Sequence, residues 1–359
     1  MAHTRPLTRL FGTVLTVASI VALAACTTQS TSDTTDTSQA ASETSRSIVV
    51  LSHDSFDFPQ ELLDTFTANT GIEVTIQAIG DGGTLANQLV LTKDAPLGDA
   101  VYGLDNTVSY RIAGQGVIAE TTVTSPNENL NFAGEAGLIP IDQGDVCVNF
   151  DKTWFADKGM VAPQTFEDLS RAEYKDLLVA MNPATSTPGM AFMLATIAHF
   201  GQDGWVEYWQ TLKDNGVKVT QGWSEAFAVD YSAGEGSGPY PMMVSYGSSP
   251  AYSVNDEGTD TSTASMSQTC YRQVEYAGVL AGAKDANGAA QFIEYMLTPE
   301  VQAAISEVTY MFPTVEGAQA PENLVTFGPL SPTPVMIPAD DVAANAEVWL
   351  RTWQSTVIG

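Results

Sequence analysis

Positive charge is scarce in this sequence. Fourteen Lys and Arg residues stand against 42 Asp and Glu among 359, a formal charge of -28 at pH 7. An electrostatic nucleic-acid binder needs a basic stripe to neutralise phosphates, and none is present. Docking on anionic lipid through charge is excluded for the same reason. Cysteine is nearly absent: three residues are too few for a disulfide scaffold. Three histidines with no clustered ligand pair argue against zinc. Beyond residue 26 there is no run of about 18 apolar residues, so no membrane-spanning helix is expected. No internal repeat shows at a fixed period. What is present suffices for a sizeable core, with 44% hydrophobic and 16% charged residues in a length that suits two or three domains.

The start of the chain has the pattern of an export signal. Arg5 and Arg9 precede a mostly apolar run from Leu10 to Ala25, which ends in Leu23-Ala24-Ala25-Cys26. Basic residues before a short apolar run and small residues after it mark a signal peptide, here residues 1–25, rather than a spanning helix. The cysteine at the cut site resembles that of a bacterial lipoprotein signal, with Cys26 as the lipidated first residue of the mature chain; the plainer alternative is a secretory signal with an incidental cysteine. Residues 26–46 are then expected to form a disordered tether, because Thr27 to Arg46 contain no large apolar side chain to offset the entropy of ordering.

From Ser47 onward the pattern alternates. Ile48 to Leu51 reads as a strand ending at His53-Asp54-Ser55-Phe56, followed by a helix with Leu62, Leu63, Phe66 and Ala68 on its apolar face. Ile72 to Ile79 reads as a second strand ending at Gly80-Asp81-Gly82-Gly83, before a helix carrying Leu85, Leu89 and Val90. Asp99 to Gly103 reads as a third strand, ending at Leu104-Asp105-Asn106 before another helix. Strand, polar turn and helix in succession predict a parallel sheet covered on both faces, with ligands at the carboxyl ends of the strands. Asp54, Asp81 and Asp105 each sit at such an end, either as helix N-caps or as ligand contacts. Further strands are expected at Val146–Phe150, Met242–Tyr246 and Gln273–Leu280, and helices at Phe166–Leu169, Trp205–Leu212, Ala289–Met296 and Val342–Gln354. The architecture these imply is an α/β clamshell of two lobes joined by crossover hinge strands, with the ligand between them. The approximate lobes are residues 47–143 with 276–320 and residues 144–275 with 321–359.

Three polar and aromatic stretches carry the chemistry. Asn182 to Gly189 precedes an apolar helix from Met190 to Ala198, with Ser186 or Thr187 as cap and Pro188 and Gly189 just inside it. Free backbone N–H groups and hydroxyls there suit either a bare cap or an anion. Gly222-Trp223-Ser224-Glu225-Ala226 sets an indole beside an acid. Ser245-Tyr246-Gly247-Ser248-Ser249-Pro250-Ala251-Tyr252 sets two phenols on a small-residue loop. Large aromatics on such loops suit face-on contact with a flat or cationic ligand.

On these stretches, together with Asp54-Ser55-Phe56, Asp81-Gly82 and Gly103 to Asn106, the chain resembles the periplasmic-type thiamine-binding proteins of bacterial thiamine transporters. The resemblance runs in order over most of residues 48 to 355, with weaker support at Gln273-Val274-Glu275, Tyr310 to Pro313 and Trp349 to Gln354. It implies a type II periplasmic-binding-protein fold and no catalysis or cofactor. Its ligand would be thiamine or a thiamine phosphate, delivered to an ABC permease with its ATPase. It implies a monomer held by its lipid on the outer face of the cell membrane. By motif, Asp81 and Gly82 would line the ligand, Ser186 and Gly189 would cap its phosphate or hydroxyl end, and Trp223, Tyr246 and Tyr252 would form aromatic walls. Tyr310 stands where family members often carry Trp. His53 stands where Tyr is expected, which weakens a stacking contact and makes binding pH-sensitive if the imidazole protonates. Gln143 replaces an aromatic expected after Asp142.

Cys147 and Cys270 near the crossover strands either pair across the hinge or remain as two buried apolar thiols. Three alternatives to a thiamine receptor stand beside it. Thiaminases share the fold, and Cys147 with Glu275 would be nucleophile and base. A ferric-ion relative would use Tyr246, Tyr252 and His53, although the adjacent tyrosines typical of such sites are absent. A polyamine relative would use acids and aromatics much as seen.

Overall fold

The computed structural model describes residues 46–359. The expected signal segment, Cys26 and nearly all of the tether lie outside the described residues; Arg46 already belongs to the first strand. Nine strands form one mixed sheet among the described residues. They are β1 (Arg46–His53), β2 (Ile72–Gly80), β3 (Ala100–Asp105), β4 (Ile139–Asp151), β5 (Leu178–Met181), β6 (Lys218–Thr220), β7 (Met242–Tyr246), β8 (Thr263–Val279) and β9 (Phe312–Pro313). Their order is β2-β1-β3-β8-β4-β7-β5-β6, with β9 on β4. The helices are α1 (Gln60–Thr70), α2 (Gly82–Leu91), α3 (Lys152–Lys158), α4 (Phe166–Leu169), α5 (Thr187–Asp214), α6 (Trp223–Glu225), α7 (Ala286–Met296), α8 (Pro299–Thr309), α9 (Glu322–Phe327) and α10 (Ala339–Trp353).

The topology is two-lobed. β2-β1-β3 and β7-β5-β6 are parallel flanks, and the long antiparallel pair β4–β8 joins them. Glu275 to Val279 of β8 pair with β3, while Val146 to Phe150 of β4 pair with β7. β8 therefore borders the first flank and β4 the second, and their pairing joins the two. Side-chain alternation explains how β1 supports helices on two faces. Ile48 and Val50 enter one core with Phe66 of α1 and Phe292 of α7, whereas Leu51 enters another with Leu85 and Leu89 of α2. On the far flank α5 lays Met190 to Ile197 on β5 and β7, and Trp209 meets Trp353 of α10 edge to face at 5.4 Å. Each fully buried side chain of this size contributes roughly 1.5–3 kcal/mol.

Two expectations need correction. No helix follows β3; a single 3₁₀ turn, Ser109–Arg111, stands there. The Asp105 carboxylate accepts from Thr107 N (2.8 Å), Thr107 Oγ1 (2.6 Å) and Val108 N (3.2 Å), and Gly114 and Gly116 then adopt positive φ. Those side-chain bonds hold a turn in place of a helical start. Nor does Asp54 cap α1, whose N-cap is Pro59; Asp54 instead accepts from Ser224 Oγ at 3.2 Å.

Cys147 and Cys270 form a disulfide with a Cα–Cα separation of 4.2 Å. The ladder explains the meeting. Val146 pairs with Tyr271 but Val148 pairs with Met266, so residues 267–270 bulge out of β8 opposite Cys147. The bridge ties the two crossover strands to each other across a sequence separation of 123. Replacing both cysteines by serine is expected to lower unfolding free energy by about 2–4 kcal/mol. Urea unfolding of the oxidised parent and the double variant checks this; equal midpoints and slopes would deny the bridge a stabilising role.

Candidate functional site

Local sequence places the aromatic groups one by one. Trp223 opens a short helical turn after Gly222, and Phe227 follows one helical turn later. That spacing puts both rings on one side, and they stack at 4.8 Å with a 9° interplanar angle. The indole N–H donates to Ser245 Oγ at 2.9 Å, which pins the ring, and Ser245 Oγ shares a 3.0 Å bond with Ser249 Oγ. Tyr246 ends β7 and meets the indole at 6.1 Å. Tyr252 sits in the 3₁₀ turn Ser249–Ser253, approaches Phe227 at 6.0 Å and remains 59% exposed. Tyr310, left-handed at φ 57° where α8 ends, stands edge to face with Tyr252 at 5.7 Å.

These rings wall a cavity of about 240 Å³, floored by His53, Tyr102 and Glu275. It lies just below the size usual for small-molecule sites. His53 ends β1, and Gly103 makes room for it: a Cβ at Gly103 would stand 2.1 Å from His53 Cδ2. His53 Nδ1 lies 2.9 Å from Ser55 Oγ, and Nε2 lies 3.5 Å from Glu275 Oε2, a Coulombic contact rather than a hydrogen bond. Tyr102 donates its hydroxyl to Asp142 and stands 2.9 Å from Glu275. Gln273 Nε2 donates to Glu275 Oε1 at 3.2 Å.

The charges on this floor are set by burial and by one another. Burial, then the neighbouring Glu275, push the Asp142 carboxyl well above the usual carboxylate range. Burial pushes Asp105 up to about 7 against the hydrogen bonds from Thr107. Burial alone would raise Glu275 too, but the His53 charge and the bonds around it prevail and hold its pKa low. Burial disfavours the His53 imidazolium, yet Glu275, Asp81 and Asp54 outweigh it and raise its pKa. The floor thus holds Glu275 towards its ionised form, Asp142 towards its protonated form and the His53 imidazole towards its charged form. Such a cleft suits a flat cation between aromatic faces.

The sequence placed His53, Trp223, Tyr246, Tyr252 and Tyr310 at a site, and the structure brings all five to this cavity. Asp81, Gly82, Ser186 and Gly189 stand elsewhere. They form a seam in which the start of α2 abuts the start of α5. Asp81 Oδ1 accepts from Thr187 N at 2.8 Å and Oδ2 from Trp223 N at 3.0 Å; the residue is 8% exposed and makes no side-chain cap to its own helix. A Cβ at Gly82 would stand 2.5 Å from Thr187 Cγ2, so only glycine permits this approach. Ser186 Oγ accepts from Gly189 N at 3.2 Å and caps α5. Gln143 faces Phe312 across β4–β9 and does not line the cavity. Sequence reasoning missed Phe227, Glu235 and Tyr102. The four-residue spacing from Trp223 would have found Phe227; Tyr102 lies in a uniformly buried strand and gave no signal.

Among the described residues, no helix is long and apolar enough to cross a membrane, and no group of three or more His, Cys, Asp or Glu side chains is arranged to hold a metal ion. Residues 113–330 match the family model described as bacterial extracellular solute-binding protein. The thiamine-binding periplasmic protein of Escherichia coli K12 is 30% identical over 294 residues, 81% of this chain and 86% of that one. Its namesake in Brucella suis biovar 1 is 28% identical over 321 residues, 87% of this chain and 92% of that one. A solved periplasmic thiamin binding protein superposes with a TM-score of 0.76 at 27% identity, over 87% of this chain and 96% of that one. A ferric binding protein from Campylobacter jejuni, at 17% identity and a TM-score of 0.66, covers 86% of this chain and 99% of that one and shares the fold.

The raised pKa of His53 fixes a sign. Its contribution to stability is fully present below its unfolded pKa of about 6.5 and is lost as pH rises through the higher folded value. The stability advantage of the parent over His53→Gln is therefore expected to be largest below about pH 6 and to shrink above it. Urea unfolding across this range checks it; a difference independent of pH would sink the His53–Glu275 coupling.

Proposed function

The chain belongs to the bacterial extracellular solute-binding proteins, and on that premise we propose that it captures thiamine outside the cytoplasm and delivers it to an ATP-driven membrane permease. The aromatic cleft over Glu275 carries this reading. Thiamine has a permanent thiazolium cation, an aminopyrimidine ring and a hydroxyethyl arm. The Trp223–Phe227 stack, Tyr246, Tyr252 and Tyr310 offer faces and edges to the two rings, and the carboxylate of Glu275 lies beneath for the cation. A cation over an aromatic face gains about 0.5–2 kcal/mol, more when desolvated. The thiamine-binding names of relatives that cover most of the chain support the same ligand.

The activity is solute capture rather than turnover, as in that family. Cys147 is held in a disulfide, and a nucleophilic cysteine must be a thiolate, so the thiaminase-like alternative is not favoured. Ligand closes the two lobes, and the closed form is what the permease accepts. The proposed lobe division at 143/144 and 275/276 supports a hinge in β4 and β8, since it cuts both strands near the level where Asp142 pairs with Glu275. Lipid on Cys26 would hold the receptor, as a monomer, at the outer face of the membrane.

The test is titration of the purified chain with thiamine, followed by tryptophan fluorescence, with spermidine and ferric citrate as controls and recovery of intact thiamine at the end. Saturable quenching by thiamine alone is expected. In calorimetry Trp223→Ala is expected to weaken binding about tenfold. A response only to a control, cleavage of thiamine, or an unchanged affinity in Trp223→Ala would overturn the reading.

A further inference from the structure

The floor of the cleft has a cation of its own, and that cation is titratable. His53 and Glu275 both line the cavity, with Nε2 3.5 Å from Glu275 Oε2. That nitrogen is buried without a hydrogen-bond partner, so charge alone holds a proton there. Nδ1 lies 2.9 Å from Ser55 Oγ, a hydroxyl that accepts from an imidazolium and can donate to a neutral ring. Each element packed on the ring contributes a group. Asp54, Ser55 and the Phe56 ring follow it at the end of β1. β3 brings the Tyr102 ring to 5.7 Å and leaves space at Gly103; β8 brings Glu275. Asp81, at the start of α2, acts on it by charge. Asp142 of β4 is bonded to Tyr102, and Glu235 is the other carboxylate that lines the cavity. No Lys or Arg lines it. Burial works against the imidazolium, but Glu275 first, then Asp81 and Asp54, outweigh it and raise the His53 pKa.

We propose that thiamine and a proton compete for this floor: capture of the solute displaces the proton of the His53 imidazolium, and the receptor holds thiamine more tightly as pH rises. This rests on the thiamine reading. A thiazolium brings a permanent positive charge to the carboxylate that the imidazolium already occupies. Two like charges a few ångströms apart in a protein site bias a titration on the order of tenfold or more. The imidazolium can give up its charge near neutral pH and the thiazolium cannot. The proton therefore leaves His53 for solvent, the ring stays behind neutral, and Glu275 answers the solute. Linkage then sets the direction. A ligand that favours the deprotonated ring releases protons on binding, and its affinity climbs with pH until the free ring has lost its own proton.

The test is calorimetric titration of the parent chain with thiamine in two buffers of different ionisation enthalpy, phosphate and Tris, at about pH 7.5, and then at intervals from about pH 6 to about pH 8.5. Release of on the order of half a proton per thiamine is expected, with affinity at least about fivefold higher at the top of the range than at its foot. In His53→Gln, whose side chain does not titrate, the release is expected to fall to less than about half the parent value and the rise in affinity to flatten with it. A merely structural His53 would change affinity by one factor at every pH and leave the release as it was. His53→Asn repeats the measurement if the glutamine variant fails to fold. No net release by the parent, net uptake, or a release undiminished by the substitution overturns the proposal while leaving the receptor intact. Absence of thiamine binding overturns the receptor reading, and the proposal falls with it.

Discussion

The carboxylate of Asp81 accepts hydrogen bonds from two backbone N–H groups that lie 106 and 142 residues further along the chain. One is the first residue of α5 and the other belongs to Trp223, the indole at the centre of the aromatic wall. Asp81 itself stands at the start of α2. A single buried carboxylate therefore answers the start of α5 and fixes the Trp223 backbone. Burial pushes its pKa up, and the two N–H donors, Trp223 first, oppose that rise. A carboxylate accepting charge-assisted bonds from opposed segments is costly to replace, since its removal leaves buried donors unsatisfied. The glycine pair Gly82-Gly83 serves the same contact, because a side chain at either would collide with the segment Thr185 to Thr187.

The floor follows a related economy of charge. Asp142, Glu275 and Asp105 are all buried, and burial forbids three full negative charges in one place. Burial and Glu275 push the Asp142 pKa up, while His53 and the bonds around Glu275 hold the Glu275 pKa low. The base of the cleft therefore sets the Glu275 carboxylate against the His53 imidazole, close to the aromatic faces. The disulfide acts on the frame around this floor: Cys147 and Cys270 tie β4 to β8 where the ladder between them bulges, and those strands connect the two flanks.

Several features were legible because they are local. Alternation in Ile72 to Ile79, the cap at Ser186 and the strand Met242–Tyr246 each follow from a few neighbouring residues, and each stands where the pattern put it. The aromatic loop residues were legible for a different reason. Trp and Tyr on glycine- and serine-rich loops have little core to enter, and Trp223, Tyr246 and Tyr252 line one cavity together. The helix expected after β3 was not legible, because the Asp105 side chain competes for the turn with bonds that a propensity argument ignores.

By itself the sequence determined the alternation of strand and helix, the two-lobed α/β class, the acidic surface and the aromatic character of the site. All of these rest on side-chain period and composition over short windows. Tertiary structure alone decided which groups share the cleft and which hold the seam. Asp81, Gly82, Ser186 and Gly189 carry the signature of ligand contacts, yet the fold turns them towards one another. Glu275 and His53 meet only because β8 passes beside β3, and β3 beside β1, in one sheet. Contacts between residues more than 100 positions apart depend on strand order and crossover register, and no short stretch of sequence encodes either.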